Sequence, residues 1–368
     1  MRIRGAVLEQ MGLPRPYAES RPLAICELEL DPPGPTEILV RIEAAGVCHS
    51  DLSVVDGNRP RPLPMLLGHE SAGRVVEVGA EVEEIAVGDR VVMSFLPRCG
   101  SCRECATDGR LPCSAGSAAN TEGTLLHGGR RLHRDGQLVH HHLGVSGFAD
   151  HVVVDAASAV VVPDAVPPDI AAVLGCAVLT GGGAVLNVAR PGPEDSIMVV
   201  GLGGVGMAAL ITAISQDVRE VIAVDALPAK LARARELGAD RALTPQEVAA
   251  QGVTADRVIE AAGHPRAFET AFGAIGFGGT MVTVGLPASD ATVTIPPLPI
   301  TAKAQSVIGC YLGSAVPRRD IPAYAQLYLE GKLPVDELIS RRIRLEDVCS
   351  AMDQLADGEA IRQVIMFD

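Results

Sequence analysis

Four cysteines fall within one short span, Cys99, Cys102, Cys105 and Cys113, spaced C-x2-C-x2-C-x7-C. Thiolates this close suit a tetrahedral cation, with Gly100 and Gly109 relieving the turns between them. A closed all-thiolate set leaves no position for a substrate, so the spacing predicts a structural zinc site. An iron–sulfur cluster also takes four cysteines but would need a redox role that nothing else in the chain supports. Four unliganded thiols are the remaining reading.

A second constellation is Gly201-Leu202-Gly203-Gly204-Val205-Gly206, a G-x-G-x-x-G turn. It follows an apolar run and opens a helical stretch, and an acidic residue, Asp225, stands at the end of the next apolar run. In that context the motif reads as a dinucleotide site. Gly201 allows the turn, Gly203 lets backbone approach a pyrophosphate, and Gly206 lets helix pack on strand. The helix N-terminus offers N–H groups and positive dipole to phosphate. Asp225 suits the ribose hydroxyls and repels a 2′-phosphate, while Ala226, Leu227 and Pro228 offer no arginine to welcome one. NAD is therefore expected rather than NADP.

The elements that must carry these residues read in two styles. Up to about residue 165 short strands alternate with Pro and Gly turns, as at Ile38–Glu43, Gly73–Val78, Asp89–Met93 and His151–Val154. That predicts an all-β, barrel-like unit. From about 178 strands alternate with helices: Ile197–Val200, Val221–Val224, helix Ala229–Leu237, then Arg257–Ile259, Thr280–Val284 and Ser306–Ile308. This is the pattern of a doubly wound parallel sheet, an α/β domain. The tail, with a helix at Leu345–Leu355 and a strand at Ile361–Phe367, is too small for its own core and is expected to complete the first domain. The predicted division is 1–177 with 313–368, and 178–312.

The chain has 368 residues, 48% hydrophobic and 21% charged, with no tryptophan and a net charge of −14. That excludes a disordered or collagen-like chain and argues against nucleic acid or an anionic membrane as partner. Ile170–Ala189 and Ile197–Gln216 are long stretches without a charge, but their glycines and flanking charges favour buried core over a membrane span. The first ten residues lack the apolar run of a secretory signal, so a reducing cytoplasm is expected, where clustered cysteines signify metal or catalysis.

Three further residues stand in distinctive settings: Cys48 in Gly46-Val-Cys-His-Ser-Asp51, His69 in Gly68-His-Glu70, and Cys176 in Leu174-Gly-Cys-Ala-Val-Leu-Thr-Gly181. With the four-cysteine lobe and the nucleotide turn, they stand in the order of the zinc-dependent medium-chain alcohol dehydrogenases. The resemblance runs the whole length of the chain. It looks closest to the branch with a long loop after the lobe, here Ser114 to His142, which includes the animal-type enzymes.

The resemblance implies a GroES-like β-barrel catalytic domain and a Rossmann NAD domain. It implies that Cys48, His69 and Cys176 ligate a catalytic zinc with its fourth position open, so that each chain carries two zinc ions. Glu70 would be an alternate or outer ligand, and Asp51 the carboxylate that orients the zinc-binding imidazole. Ser50 would take the proton of the substrate alcohol while hydride passes to NAD. His49 and Arg362 would contact the pyrophosphate, Lys230 the adenosine ribose, and Thr180 and Val205 the nicotinamide. Val284, Leu286, Cys310 and Leu312 would also lie along the cofactor. Many relatives carry a histidine three residues after this serine; Ser53 stands there instead, leaving Ser53 with water, or His49, to pass the proton on.

Phe95, His142, Leu143, Leu286 and Tyr311 would line the substrate pocket, a mix suited to a medium-chain, cyclic or aromatic alcohol. The run His140-His141-His142 reads as a solvated loop, as one ring facing that pocket, or as a third metal site. Arg130, Arg131 and Arg134 are expected on a solvated loop. A rival enzyme is a thiol-dependent formaldehyde dehydrogenase, disfavoured because Ser114 to Asn120 is uncharged. A rival from another class is a non-catalytic zinc- and nucleotide-binding sensor. A homodimer joined along strands near Ser306–Leu312 is expected, with a tetramer as the alternative.

Overall fold

The structure is a computed structural model describing residues 1–368. The chain forms two compact units, one of Met1–Cys176 with Val316–Gly331 and Val335–Asp368, the other of Ala177–Ala315 with Lys332–Pro334.

The first unit holds a closed five-stranded barrel of Arg2–Leu8, Leu23–Leu30, Leu132–Arg134, Gln137–His141 and Met65–Leu66. Closure leaves no free edge, and the barrel strands bury Leu8, Leu28, Leu30, Met65, Leu66, Leu132 and Val139, all at most 2% exposed. Beside it lies a sheet built around the long strand Glu37–Val47, which pairs with Glu70–Val78, His151–Asp155 and the C-terminal strand Arg362–Met366. The tail thus completes this sheet.

The segment after the cysteine lobe, expected as a loop, is ordered structure. Cys113 caps the helix Ser114–Glu122, which ends at Gly123 in the left-handed region. The following hairpin, Leu132–Arg134 with Gln137–His141, supplies two barrel strands. The histidine run is therefore no solvated loop, since His141 and His142 are each 1% exposed. Nor are the arginines simply solvated. Arg131 donates to Glu37 at 2.7 Å, and Arg134 donates to Glu9 at 2.5 Å.

The second unit is a six-stranded parallel sheet in the order Arg241–Leu243, Glu220–Val224, Ser196–Val200, Ala255–Glu260, Ile275–Thr283, Ser306–Gly309. The first strand in sequence sits inside the sheet, with later strands added on both sides. The order reverses beside Ser196–Val200, and in open sheets of this kind ligands bind at the carboxyl ends of the strands at such a point. Val-rich runs such as Ser196–Val200 are buried at every residue, as expected for a sheet covered on both faces. The helical run Pro168–Ala189 is long and apolar enough to cross a membrane by length and composition, yet 94% of its most apolar window is buried in the fold. The second uncharged stretch divides into the strand Ser196–Val200 and the helix Gly204–Ile214.

Candidate metal centres and nucleotide site

Register brings the first set of ligands together. Gly46 lies opposite Glu70 on one side and Val364 on the other, and Val47 lies opposite Gln363. The ends of three strands therefore meet, placing Cys48, His69 with Glu70, and Arg362 side by side. Gly46 must lack a side chain, because a Cβ there would stand 2.8 Å from the Glu70 carboxyl. Cys176 comes from a π-helical turn, Leu174–Val178, within the long apolar helical run. Such turns are frequent at functional sites.

The ligand atoms of Cys48, His69 and Cys176 lie within 4.8 Å of one another, and all three residues are buried. His69 Nε2 is 3.5 Å from Cys176 Sγ. Tetrahedral zinc with ordinary Zn–N and Zn–S bonds spaces such a pair about 3.6 Å apart. Two thiolates and one imidazole thus fit a zinc ion with a fourth position left open. The Cys48 thiol is held well below its ordinary range, first by its hydrogen bond with Cys176, then by the charges of Arg362 and His69. That same bond, with burial, pushes Cys176 up.

Asp51 sits behind the imidazole. The helix His49–Val55 starts at Cys48, and Asp51 in its first turn accepts the Cys48 N–H at 3.1 Å. Its other oxygen lies 3.0 Å from His69 Nδ1, which leaves Nε2 free to face a metal. Burial opposes ionisation of Asp51, but His69 and His142 outweigh it and hold the carboxyl below its usual range.

Glu70 and Arg362 form a buried ion pair at 3.2 Å, and Arg362 also donates to the Val47 carbonyl at 2.9 Å. Arg362, expected at the pyrophosphate, is only 2% exposed and is turned onto this pair. A buried guanidinium requires such a partner. Phe95 packs edge-on to His69 with ring centroids 5.5 Å apart. His142, expected to line a substrate pocket, is also edge-on to His69 at 5.5 Å, with Nδ1 3.1 Å from Asp51. His141 instead accepts the Arg131 N–H at 3.1 Å, and His140 is half-buried, so the run forms no metal site of its own. Leu143 is buried with φ 51°. Ser50 is half-buried and His49 exposed in the first turn of their helix. Ser53 donates its hydroxyl to the His49 carbonyl at 2.8 Å.

The four-cysteine lobe is a separate set. All four sulfurs lie within 4.8 Å of one another, with Cys99–Cys105 at 4.0 Å and Cys102–Cys113 at 3.8 Å. The edge of a zinc–sulfur tetrahedron is about 3.8 Å, so a single ion fits. Backbone N–H groups of Cys99 and Gly116 point at Cys113 Sγ, and that of Cys105 at Cys102 Sγ, each at 3.4 Å. The Ser101 backbone and hydroxyl lower the Cys99 thiol to about 6, whereas burial raises Cys105 to about 12.

In the second unit Gly201 has φ 92° and leads through Gly203 into the helix Gly204–Ile214. Asp225 follows the strand Glu220–Val224 and accepts the N–H groups of Leu202 at 2.7 Å and Leu227 at 2.9 Å. The acidic residue therefore ties the glycine turn to the next strand. Lys230 stands in the first turn of the helix Pro228–Glu236. Thr180, Val284, Cys310 and Leu312 are nearly buried, at 4–8% exposure, and Val205 is half-buried. Leu286 and Tyr311 are exposed, at 48% and 36%.

Sequence reasoning passed over Glu260. It ends the strand Ala255–Glu260, is 1% exposed, and accepts from Ala262, Gly263 and the Thr283 hydroxyl at 2.7–2.9 Å. Its signal was an acidic residue closing an apolar run just before Ala261-Ala262-Gly263.

A β-barrel unit carrying a Cys2His centre and a four-thiolate lobe, joined in one chain to a parallel-sheet nucleotide unit, defines a zinc-binding dehydrogenase. Residues 34–164 match the alcohol dehydrogenase GroES-like domain, and residues 204–330 the zinc-binding dehydrogenase domain. The chain is 36% identical to a geraniol dehydrogenase of Castellaniella defragrans, covering 99% of this chain and 97% of that one. It is 35% identical to an NDMA-dependent alcohol dehydrogenase of Amycolatopsis methanolica, covering 100% and 99%. Among solved structures, benzyl alcohol dehydrogenase from Acinetobacter calcoaceticus superposes with TM-score 0.91 at 29% identity, both chains covered in full. The chain belongs to the zinc-dependent alcohol dehydrogenase family.

Proposed function

We propose that this chain oxidises a primary or secondary alcohol to an aldehyde or ketone, reversibly, with NAD as hydride acceptor and two zinc ions per chain. The observation that carries the reading is the buried Cys48–His69–Cys176 set, backed by Asp51 and complete but for one position. Zinc held there supplies a Lewis acid that lowers the pKa of a substrate alcohol. Asp51 keeps the His69 ring in one tautomer and orientation. Ser50, in the helix that starts at Cys48, accepts the alcohol proton. Because the Ser53 hydroxyl is engaged by the helix carbonyl four residues back, the proton leaves Ser50 for water or His49. The four-cysteine lobe holds the second zinc and acts on stability.

The glycine turn and Asp225 support NAD over NADP. Thr180, Val205, Val284, Cys310 and Leu312 are the proposed cofactor contacts in the same unit. Phe95 and Leu143 support an apolar substrate of medium-chain, cyclic or aromatic type, as do the geraniol and benzyl alcohol relatives. The segment after the lobe supports a place near the animal-type branch. All nine cysteines are unbridged, in keeping with a cytoplasmic enzyme. Edge strand Ser306–Gly309 is exposed along its length, with Val307 and Ile308 each 40% accessible, which supports a homodimer paired along that edge.

The test is NADH formation by the zinc-loaded chain across linear, cyclic and aromatic alcohols. Parallel arms offer NADP, NDMA as hydride acceptor, and formaldehyde with a low-molecular-weight thiol. Turnover with alcohol and NAD is expected. Turnover with the thiol adduct alone would shift the reading to the formaldehyde enzyme, and no turnover in any arm would reject catalysis.

A further inference from the structure

Asp51 receives more than the one imidazole it needs. The residue is fully buried, and each of its oxygens faces nitrogen: Oδ2 takes the Cys48 N–H at 3.1 Å, and Oδ1 lies 3.0 Å from His69 Nδ1. His142 Nδ1 also lies 3.1 Å from Oδ1, off the best hydrogen-bond line but with no other partner. The carboxylate can only accept, so the proton in that contact belongs to His142 Nδ1. The ring is fixed from behind as well. His142 N–H donates to Ser146 Oγ at 2.9 Å, and its carbonyl accepts from Val145 and Ser146 at 3.0 and 3.2 Å. The imidazole stands edge-on to His69 at 90°. A buried nitrogen with one available acceptor, on a clamped backbone, has a single orientation that serves it.

The Cys48 N–H on Oδ2 and His69 Nδ1 on Oδ1 already hold the carboxylate at both ends, but the second of these contacts is the one that must set the imidazole. His142 Nδ1 gives Oδ1 an anchor independent of His69, so the oxygen keeps its place and the His69 ring is oriented by it. We propose that His142 is a positioning residue for the Cys48–His69–Cys176 centre: it acts through Asp51 to hold the His69 ring in its metal-facing orientation. This rests on the reading of that centre as a metal site. A residue expected to face substrate thus becomes the third member of a chain running His142–Asp51–His69. Had the site needed only bulk at this position, a phenylalanine would fill it; the nitrogen at 3.1 Å from a buried carboxylate is what distinguishes the two roles.

The experiment compares the full-length parent with His142→Phe, which keeps the bulk, and His142→Asn, whose amide N–H can stand near the place of Nδ1. Each is loaded with cobalt(II), and the visible spectrum and the rate of metal loss to a chelator are recorded. The four-cysteine lobe serves as internal reference, with the NADH dissociation constant and melting temperature alongside. His142→Phe should lose metal from the Cys48 centre about 10- to 100-fold faster and change its ligand-field bands. The lobe and NADH binding should be unchanged, and His142→Asn should stay within about threefold of the parent on the same scale. If His142→Phe matches the parent, or if both variants lose metal equally, the inference is overturned. If the Phe variant melts early, His142→Leu, which also lacks the nitrogen, is read by the same criterion. If the parent itself takes cobalt only at the lobe, the metal-centre reading falls, and this inference with it.

Discussion

Replacing Gly203 and Gly206 separately by alanine should divide what the nucleotide turn does for the fold from what it does for the cofactor. A Cβ built on Gly206 lies 1.7 Å from the Gly201 carbonyl oxygen and 2.8 Å from its carbonyl carbon. Real contacts do not fall below 3.0 Å, so the backbone itself must shift to admit the methyl. The obstacle is main chain, and no rotamer change relieves it. Forced overpacking of this kind costs about 3 kcal/mol or more. At about 3 °C per kcal/mol for a domain of this size, Gly206→Ala should melt about 10 °C lower.

Gly203 is the opposite case. Nothing lies within 4 Å of its added Cβ, and its φ of −77° suits any residue. The gain from a stiffer unfolded chain, about 0.4–1 kcal/mol, opposes the cost of alanine at a helix N-cap, so the melting temperature should move by less than about 3 °C. The open space over that backbone is where a pyrophosphate must come close. A methyl there should weaken NADH binding about 10- to 100-fold, equivalent to about 1.4–2.8 kcal/mol. Calorimetric melting of the cofactor-free protein and fluorescence titration with NADH measure the two effects. A Gly203→Ala variant that binds within twofold of the parent would refute the pyrophosphate assignment. A Gly206→Ala variant that melts with the parent would refute the close approach.

Metal analysis should find two zinc ions per chain. Cys48→Ala should lose one of them with turnover, the fold intact by circular dichroism, whereas Cys102→Ala should lose the other and lower the melting temperature. Asp225→Gly should lower kcat/KM for NAD and raise it relatively for NADP; an unmoved ratio would remove Asp225 from cofactor choice. Alcohol oxidation should be weak at neutral pH and rise with alkali, and Ser53→His should gain activity near neutrality while Ser50→Ala loses it in either background. Coincident kcat profiles for parent and Ser53→His, where a deuterated alcohol slows turnover, would reject the relay argument. Burial holds His141 down to about 3 from 6.5, so its neutral form contributes stability in full above pH 6.5 that is lost as pH falls toward 3. The loss is at most about 5 kcal/mol, and denaturant titrations should show a shallower acid dependence for His141→Gln, whose amide oxygen can accept the same Arg131 N–H.

The features legible in the sequence are those made by neighbours along the chain. The four-cysteine lobe closes between Cys99 and Cys113, so spacing alone sets the reach of its sulfurs. The glycine turn announces itself because strand, turn and helix are consecutive, and Asp225 follows at the end of the next strand. Asp51 came only through the family resemblance; the structure shows it in the first turn of the helix that starts at Cys48. The arrangement around these features was not legible. Arg362 meets Glu70 across most of the chain because Glu37–Val47 pairs with both of their strands, and burial then demands that the two charges find each other. His142 reaches Asp51 only because the hairpin after the lobe closes the barrel and ends its last strand beside that carboxylate. Local propensity sees a polar run His140-His141-His142 and reads it as exposed. Strand register sends each ring into different surroundings, and only the folded sheet determines which one stands beside Asp51 and the His69 imidazole.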